Sequence, residues 1–199
     1  MSWFSSRTPL ADARWVVIDC ETSGLDPRRD RLLSVGAIRV HSDRIELGEA
    51  YSSRVCAPVA SAANNILVHG ISGDAQVSAP APGEVLPQFA RFIEGYTPVA
   101  FHAWFDREIL RRAMSPFGVQ VPHRWLDLEP LARALYPENK LRTLDEWIRV
   151  FDIEPAGRHD ALLDALASAE LLLVLLARAC NAGMRTIEDL LAAAGRIRL

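Results

Sequence analysis

Five residues are the candidates for whatever chemistry this chain does. Asp19 and Glu21 stand two apart at the end of an apolar run, Val16-Val17-Ile18, and strand alternation points both carboxylates to the same side. Two acids converging there suit a hard divalent cation such as Mg²⁺, although an isolated Asp-x-Glu at a strand end is more often a turn cap. Asp106 ends the segment Phe101-His102-Ala103-Trp104-Phe105-Asp106, where a second strand hands over to a helix carrying Ile109, Leu110 and Met114. Its plain reading is an N-cap. Asp164 is the least ordinary acid, because it projects from an almost wholly apolar helix, where a carboxylate is costly to bury unless it is paired or ligates a metal. Asp160, one turn earlier, is explained as the cap of that helix. His159, immediately before the cap, is of the residue type best suited to general-base work near neutral pH.

The elements that must hold these groups follow from hydrophobic period. Arg14 to Cys20, apolar and β-branched in its middle, reads as a central strand buried on both faces. Leu32 to Val40 and Ile45 to Val55 flank the polar stretch His41-Ser42-Asp43-Arg44 as a hairpin, with Ile45, Leu47, Tyr51 and Val55 on one parity. Residues 56 to 83, rich in Pro, Gly and Ser, are long for a structureless loop and are expected to contain short helices or a functional segment. Beyond them the apolar spacing turns helical, at Val85, Leu86, Phe89, Phe92 and Ile93 and again at Leu128, Leu131, Ala132 and Leu135. Thr97 to His102 reads as a short strand between helices, and one more is expected near Arg124 to Leu126. Thr143 with Glu146 and Thr186 with Asp189 mark helix starts. From Asp160 to Ala179 the chain is apolar nearly all round, which predicts a buried helix. Three strands, a helix, a strand and then mainly helices describe an α/β sandwich with a mixed sheet.

Composition bounds the class. With 199 residues, 50% hydrophobic and 24% charged, the chain is expected to form one domain with a sizeable core. No apolar stretch approaches the roughly 18 residues that a membrane span requires. The start, Met1 to Arg7, reads neither as a secretory signal nor as a transit peptide, so a cytoplasmic location is expected. Three widely spaced cysteines, Cys20, Cys56 and Cys180, argue against a disulfide framework or a zinc cluster. The net charge of −3, from 22 basic and 25 acidic residues, excludes a protein that coats nucleic acid by bulk attraction. It leaves open an enzyme that holds one strand end through metal ions.

Val17-Ile18-Asp19-Cys20-Glu21-Thr22-Ser23-Gly24-Leu25-Asp26, then Ala103-Trp104-Phe105-Asp106, then His159-Asp160-Ala161-Leu162-Leu163-Asp164-Ala165 resemble the three exonuclease motifs of the DEDD superfamily. They match the branch whose third motif carries a histidine five residues before its aspartate, typified by the proofreading epsilon subunit of bacterial DNA polymerase III and its stand-alone relatives. Val68-His69-Gly70-Ile71 and Trp125 to Arg133 extend the similarity, which spans about residues 13–178 of a single domain, 1–199, ending in a short helix at 186–195. The resemblance implies a ribonuclease H-like mixed sheet, three antiparallel strands followed by parallel ones, with flanking helices.

It also implies that Asp19, Glu21, Asp106 and Asp164 bind two Mg²⁺ or Mn²⁺ ions and that His159 deprotonates the attacking water. Two cations about 3.5 to 4 Å apart can serve both the attacking and the departing oxygen of an in-line displacement. Thr22, Gly24, Leu25, His69 and His102 are the residues expected at the terminal nucleotide. The chain departs from the family at Phe101-His102, where relatives carry His-Asn. His102 either faces the substrate groove or is a strand-end histidine, and His69 divides in the same way between a nucleotide contact and a structural role in its loop. Arg28, Arg29 and Arg31 after the first motif, and Arg107, Arg111 and Arg112 after the second, offer local phosphate contacts.

The expected activity is therefore metal-dependent 3′–5′ removal of nucleoside 5′-monophosphates from nucleic acid 3′ ends, with DNA, single-stranded or frayed, ahead of RNA. Trimming of RNA ends or short oligoribonucleotides is the second reading. A catalytically silent end-binding adaptor is a third, which loss of any of the five residues would have favoured. Association with a polymerase or clamp is compatible with the resemblance, but no clamp-binding peptide is recognisable, so a stand-alone enzyme is expected.

Overall fold

The apolar run after Arg14 becomes the centre of the sheet because both of its faces are covered. In a computed structural model that describes residues 7–41 and 43–195, strand β1 (Arg14–Thr22) pairs antiparallel with β2 (Leu32–His41). β2 pairs antiparallel with β3 (Arg44–Arg54) on its other side. Two short helices, α1 (Ala63–His69) and α2 (Gly73–Val77), and the longer α3 (Pro82–Ile93) lead to β4 (Thr97–Ala100), which runs parallel to β1. Then come α4 (Ala103–Met114), β5 (Leu126–Asp127), parallel to β4, and helices α5 (Leu128–Leu135), α6 (Leu144–Val150), α7 (Ala161–Asn181) and α8 (Ile187–Gly195). The five strands lie in the order β3-β2-β1-β4-β5, the mixed sheet expected from the sequence. The expectations for the leading residues Met1 to Ser6, for Ser42 in the hairpin turn and for the last four residues fall outside the described residues.

Alternation along β1 divides two cores. Trp15 and Val17 face a layer built from α5, α6, α7 and α8, with Leu171, Leu172 and Trp147 at its centre. Val16 and Ile18 face α3 and α4 through Phe89, Leu110 and Met114. All four of these β1 side chains are fully buried, which accounts for a run of apolar residues with no polar face. The helix starts expected at Thr143 and Thr186 are capped reciprocally: Thr143 Oγ1 accepts from the Glu146 amide while Glu146 accepts from the Thr143 amide, and Thr186 and Asp189 do the same.

Three expectations needed adjustment. Leu47 is 70% exposed rather than half-buried. The pairing of β2 with β3 jumps from Ile38↔Ala50 to Val40↔Ile45, so residues 46–49 bulge from the sheet edge and the parity breaks there. β4 ends at Ala100, two residues early, because His102 turns into the left-handed region at φ 60° to start α4. The last strand covers Leu126–Asp127, one residue later than Arg124 to Leu126 would place its end.

Candidate active site

A glycine decides how closely the site can assemble. In the register of the sheet, Asp19 lies opposite Gly36 of β2. A Cβ on Gly36 would meet the backbone carbon of Ala161 at 2.2 Å and the amide nitrogen of Leu162 at 2.3 Å, distances that no side chain tolerates. The bare backbone of Gly36 therefore lets the first turn of α7 descend onto the sheet directly beside Asp19. Asp164 sits on that turn, 6% exposed. One carboxylate oxygen from each of Asp19, Glu21 and Asp164 lies within 4.8 Å of the others, so residues far apart in sequence converge at one end of β1.

Asp106 lies outside that trio of converging oxygens, but its charge acts on Asp19. The pairing of β1 with β4 runs only to Val17↔Val99, so the end of β1 is met on that flank by the start of α4. The thiol and backbone amide of Cys20 lie near the Asp106 carboxylate and favour its charged form. Burial pushes Asp106 up to about 8 from 3.8, with Asp127 repelling it further. Asp19 is driven well above the usual carboxylate range by burial first, then by the charges of Asp106 and Glu21. Glu21 rises to about 7 from 4.5, again through burial and then Asp160. Asp19, Glu21 and Asp106, all held above the usual carboxylate range, together with Asp164 make a site that a dication would stabilise, since its charge offsets both the desolvation and the mutual repulsion.

The loop before α7 supplies the remaining groups. His159 lies at φ 61°, exposed, and its backbone N–H donates to Asp164 Oδ2 at 2.9 Å. This hydrogen bond ties the backbone of the expected base to the expected ligand. Asp160 caps α7 as anticipated, accepting from the amides of Leu162 and Leu163 at 3.0 and 3.2 Å. Arg158 was not singled out by sequence spacing, yet its guanidinium is ion-paired to Asp164 and donates through Nε to Asp145 Oδ1 at 2.6 Å. It lowers the pKa of both Asp19 and Glu21, though less than burial raises them. Its only signal in the sequence was adjacency to His159. Asp127 was likewise passed over. It accepts from the His102 amide at 3.1 Å and caps α5, and burial raises it to about 6.

The residues expected at the nucleotide separate into three groups. His102 lines a hollow of about 240 Å³ together with Asp19, Asp164, Arg158 and Thr143, on the carboxylate side of the strand end. Thr22, Gly24 and Leu25 form a tight turn after β1. Thr22 Oγ1 donates to Gly24 O at 2.6 Å, and a Cβ on Gly24 would lie 2.5 Å from an oxygen of Asp30, whose carboxylate accepts from Ser23 Oγ and the Asp26 amide. Leu25 projects from this turn 92% exposed. His69, only 4% exposed, is spent on its own loop: Nδ1 accepts from the Ile71 amide at 3.1 Å, which leaves Nε2–H to donate to Ser61 Oγ at 3.0 Å. Ser61 and Gln76 complete that buried network. Of the arginines, Arg112 holds the 27–30 turn by its carbonyls, Arg31 reaches Val59 O, and Arg111 and Arg29 pair with Glu108 and Asp26. Among the described residues no ion pair or hydrogen bond engages the side chain of Arg28 or of Arg107.

Comparison with known proteins bears on this arrangement. A family described as Exonuclease matches residues 16–172, a span that includes all five candidate residues. A DNA polymerase III subunit epsilon-like protein of Rhodobacter capsulatus is 33% identical over 189 residues, covering 94% of this chain and 27% of that protein. A PolC-type DNA polymerase III of Caldanaerobacter subterraneus is 27% identical over 179 residues, covering 90% of this chain and 13% of the relative. The chain thus spans a minor part of either protein. Among solved structures, Exonuclease X in complex with 5′ overhanging duplex DNA superposes with a TM-score of 0.72 at 23% identity, covering 91% of this chain and 99% of that one. E. coli Exonuclease I in complex with a dT13 oligonucleotide gives 0.74 at 19% identity, covering 86% and 42%.

Proposed function

The chain belongs to the exonuclease family, and from that premise we propose that it removes nucleoside 5′-monophosphates one at a time from the 3′ end of DNA, single-stranded or frayed. The observation that carries this reading is the convergence of Asp19, Glu21 and Asp164 within 4.8 Å, with Asp106 buried beside them. The donor set is all oxygen, as Mg²⁺ or Mn²⁺ prefers, and carboxyls pushed up to about 7 and 8 are groups whose charge a dication would compensate. Asp19, Glu21, Asp106 and Asp164 would hold the metal. When bound, it would lower the pKa of the attacking water and neutralise the scissile phosphate and the departing oxygen.

The protein's own groups account for the rest. His159, exposed at the mouth of the site and held by its amide to Asp164, takes the proton from the water that attacks phosphorus. The bond from phosphorus to the 3′-oxygen of the preceding nucleotide breaks in line, leaving a new 3′-hydroxyl and a free 5′-monophosphate. Arg158 places a positive charge between Asp145 and Asp164, on the side from which a phosphate would approach. The turn at Thr22, Gly24 and Leu25 meets the terminal sugar and base, and His102 borders the same hollow as the acids. Thymine-tract and overhang DNA bound by the two structural neighbours support DNA as the substrate class, and the polymerase III relatives support action at replication-derived ends.

The decisive experiment incubates the purified chain with 5′-labelled single-stranded DNA, duplex DNA and RNA in Mg²⁺, Mn²⁺ or EDTA. A metal-dependent ladder shortening from the 3′ end of single-stranded DNA is expected. Digestion unchanged in Asp19→Ala, or confined to RNA, would overturn the proposal.

A further inference from the structure

An aromatic side chain outside the catalytic constellation stands open beside it. Trp104 lies two residues before Asp106 in the first turn of α4 and is 49% exposed, whereas Trp15, Trp125 and Trp147 are at most 9% exposed. Indole is a large apolar surface, and its half-exposure beside a cluster of acids is not repaid by core packing. Its ring is set edge-on to Phe105, with centroids 5.9 Å apart, which fixes the plane. Opposite stands Leu25, 92% exposed on the turn that follows Glu21. The two bound a hollow of about 340 Å³ with Asp26, Pro27 and Arg28. Asp26 is already engaged by the Arg28 amide and the Arg29 guanidinium, while among the described residues no ion pair or hydrogen bond engages the Arg28 side chain. A flat aromatic wall, an aliphatic wall and one uncommitted cation at the rim match a nucleobase and its flanking phosphate, and little else of that size.

We propose that Trp104, with Leu25 opposite and Arg28 at the rim, forms a stacking subsite for one base of the strand whose 3′ end enters the carboxylate cluster. This rests on the exonuclease reading above. The subsite takes any base, because every base presents a π-face to the indole. It helps to hold the strand while the end reacts, so its contribution lies in binding and not in the chemical step.

The test measures steady-state digestion of a 5′-labelled single-stranded oligonucleotide, together with tryptophan fluorescence titrations in which calcium replaces magnesium. Trp104→Ala is expected to raise KM about tenfold with kcat within about twofold, and Trp104→Phe to stay close to the parent protein. Oligonucleotide binding should quench fluorescence in the parent and not in Trp104→Phe. A scan of single abasic positions from the 3′ end should find one position whose loss weakens the parent about tenfold and leaves Trp104→Ala unaffected. Arg28→Gln should flatten the salt dependence of binding by about 0.7 in the log–log slope. Digestion by Trp104→Ala with an unchanged KM, or an abasic scan identical in parent and variant, would overturn the subsite. Failure of the exonuclease reading is separate: the parent protein would then shorten no 3′ end, and quenching alone would decide whether Trp104 meets a base.

Discussion

At the scale of single residues, the site is a set of carboxyls held where they are least comfortable as anions. Asp106, pushed up to about 8, and Glu21, pushed up to about 7, keep their protons in the folded chain to far higher pH than in the unfolded chain, where carboxyls titrate near 4. The folded state therefore binds more protons, and metal-free protein is progressively destabilised as pH rises from about 4 to about 8. Melting curves in EDTA should show Tm falling across that window, and Mg²⁺ should raise Tm more at pH 8 than at pH 5. A magnesium effect independent of pH would contradict this. Asp106→Asn should abolish digestion yet raise the Tm of the EDTA-treated protein at pH 9 by a few degrees, because it removes a buried charge. His159→Ala should lower kcat by about 10² to 10⁴ while the Mg²⁺-induced shift in Tm persists. Loss of that shift would make His159 a ligand. The five candidates, Asp19, Glu21, Asp106, His159 and Asp164, could be picked out as candidates from the sequence, since they lie in three short segments. Arg158 and Asp127 could not, because their significance lies in partners, Asp145 and Asp164 for the one and the His102 amide for the other.

At the scale of elements, the geometry depends on how near α7 can come to β1. Gly36 sets that approach, with Ala161 and Ala165 buried on the helix side. Gly36→Ala would place a methyl against the backbone of Ala161, lifting the first turn of α7 and carrying Asp164 away from Asp19. The expected cost is about 1–3 kcal/mol of stability and, for a displacement near 1 Å, about 10² in kcat. Chemical denaturation and single-turnover digestion of the same variant measure the two, and an activity equal to the parent's would show that Gly36 does not position the acid. Helix α7 itself was apparent from its apolar period and its Asp160 cap, and the strand carrying Asp19 from its β-branched run. The glycine's role was not apparent, because a lone Gly in a strand pattern reads equally as a weak point or as a close approach. His69 shows the converse. Its neighbourhood in sequence resembles a substrate loop, but the bond from the Ile71 amide and the contact with Ser61 use both ring nitrogens, a pairing visible only once residues 61–76 are folded together.

At the scale of the whole molecule, a net charge of −3 is compatible with the proposed nucleic acid substrate if few cations face it. Most of the arginines near the motifs brace turns or pair with nearby acids. Binding should therefore respond weakly to salt: with two or so phosphate contacts, KM is expected to rise less than about tenfold between 50 and 200 mM KCl. A rise of a thousandfold would require a basic track that the described residues do not offer. The sequence alone determined the strand and helix types, the two-sided burial of β1 and the identity of the five candidate residues, since alternation, helical period and short-range spacing are properties of neighbours along the chain. Tertiary structure decided what no neighbour relation encodes: that Gly36 admits α7 beside Asp19, that Arg158 pairs with Asp164, that His69 is consumed by its own loop, and that Trp104 and Leu25 face one hollow. Each is a meeting of segments tens of residues apart, and the energy of such a meeting depends on shape and burial, which exist only after the chain has folded.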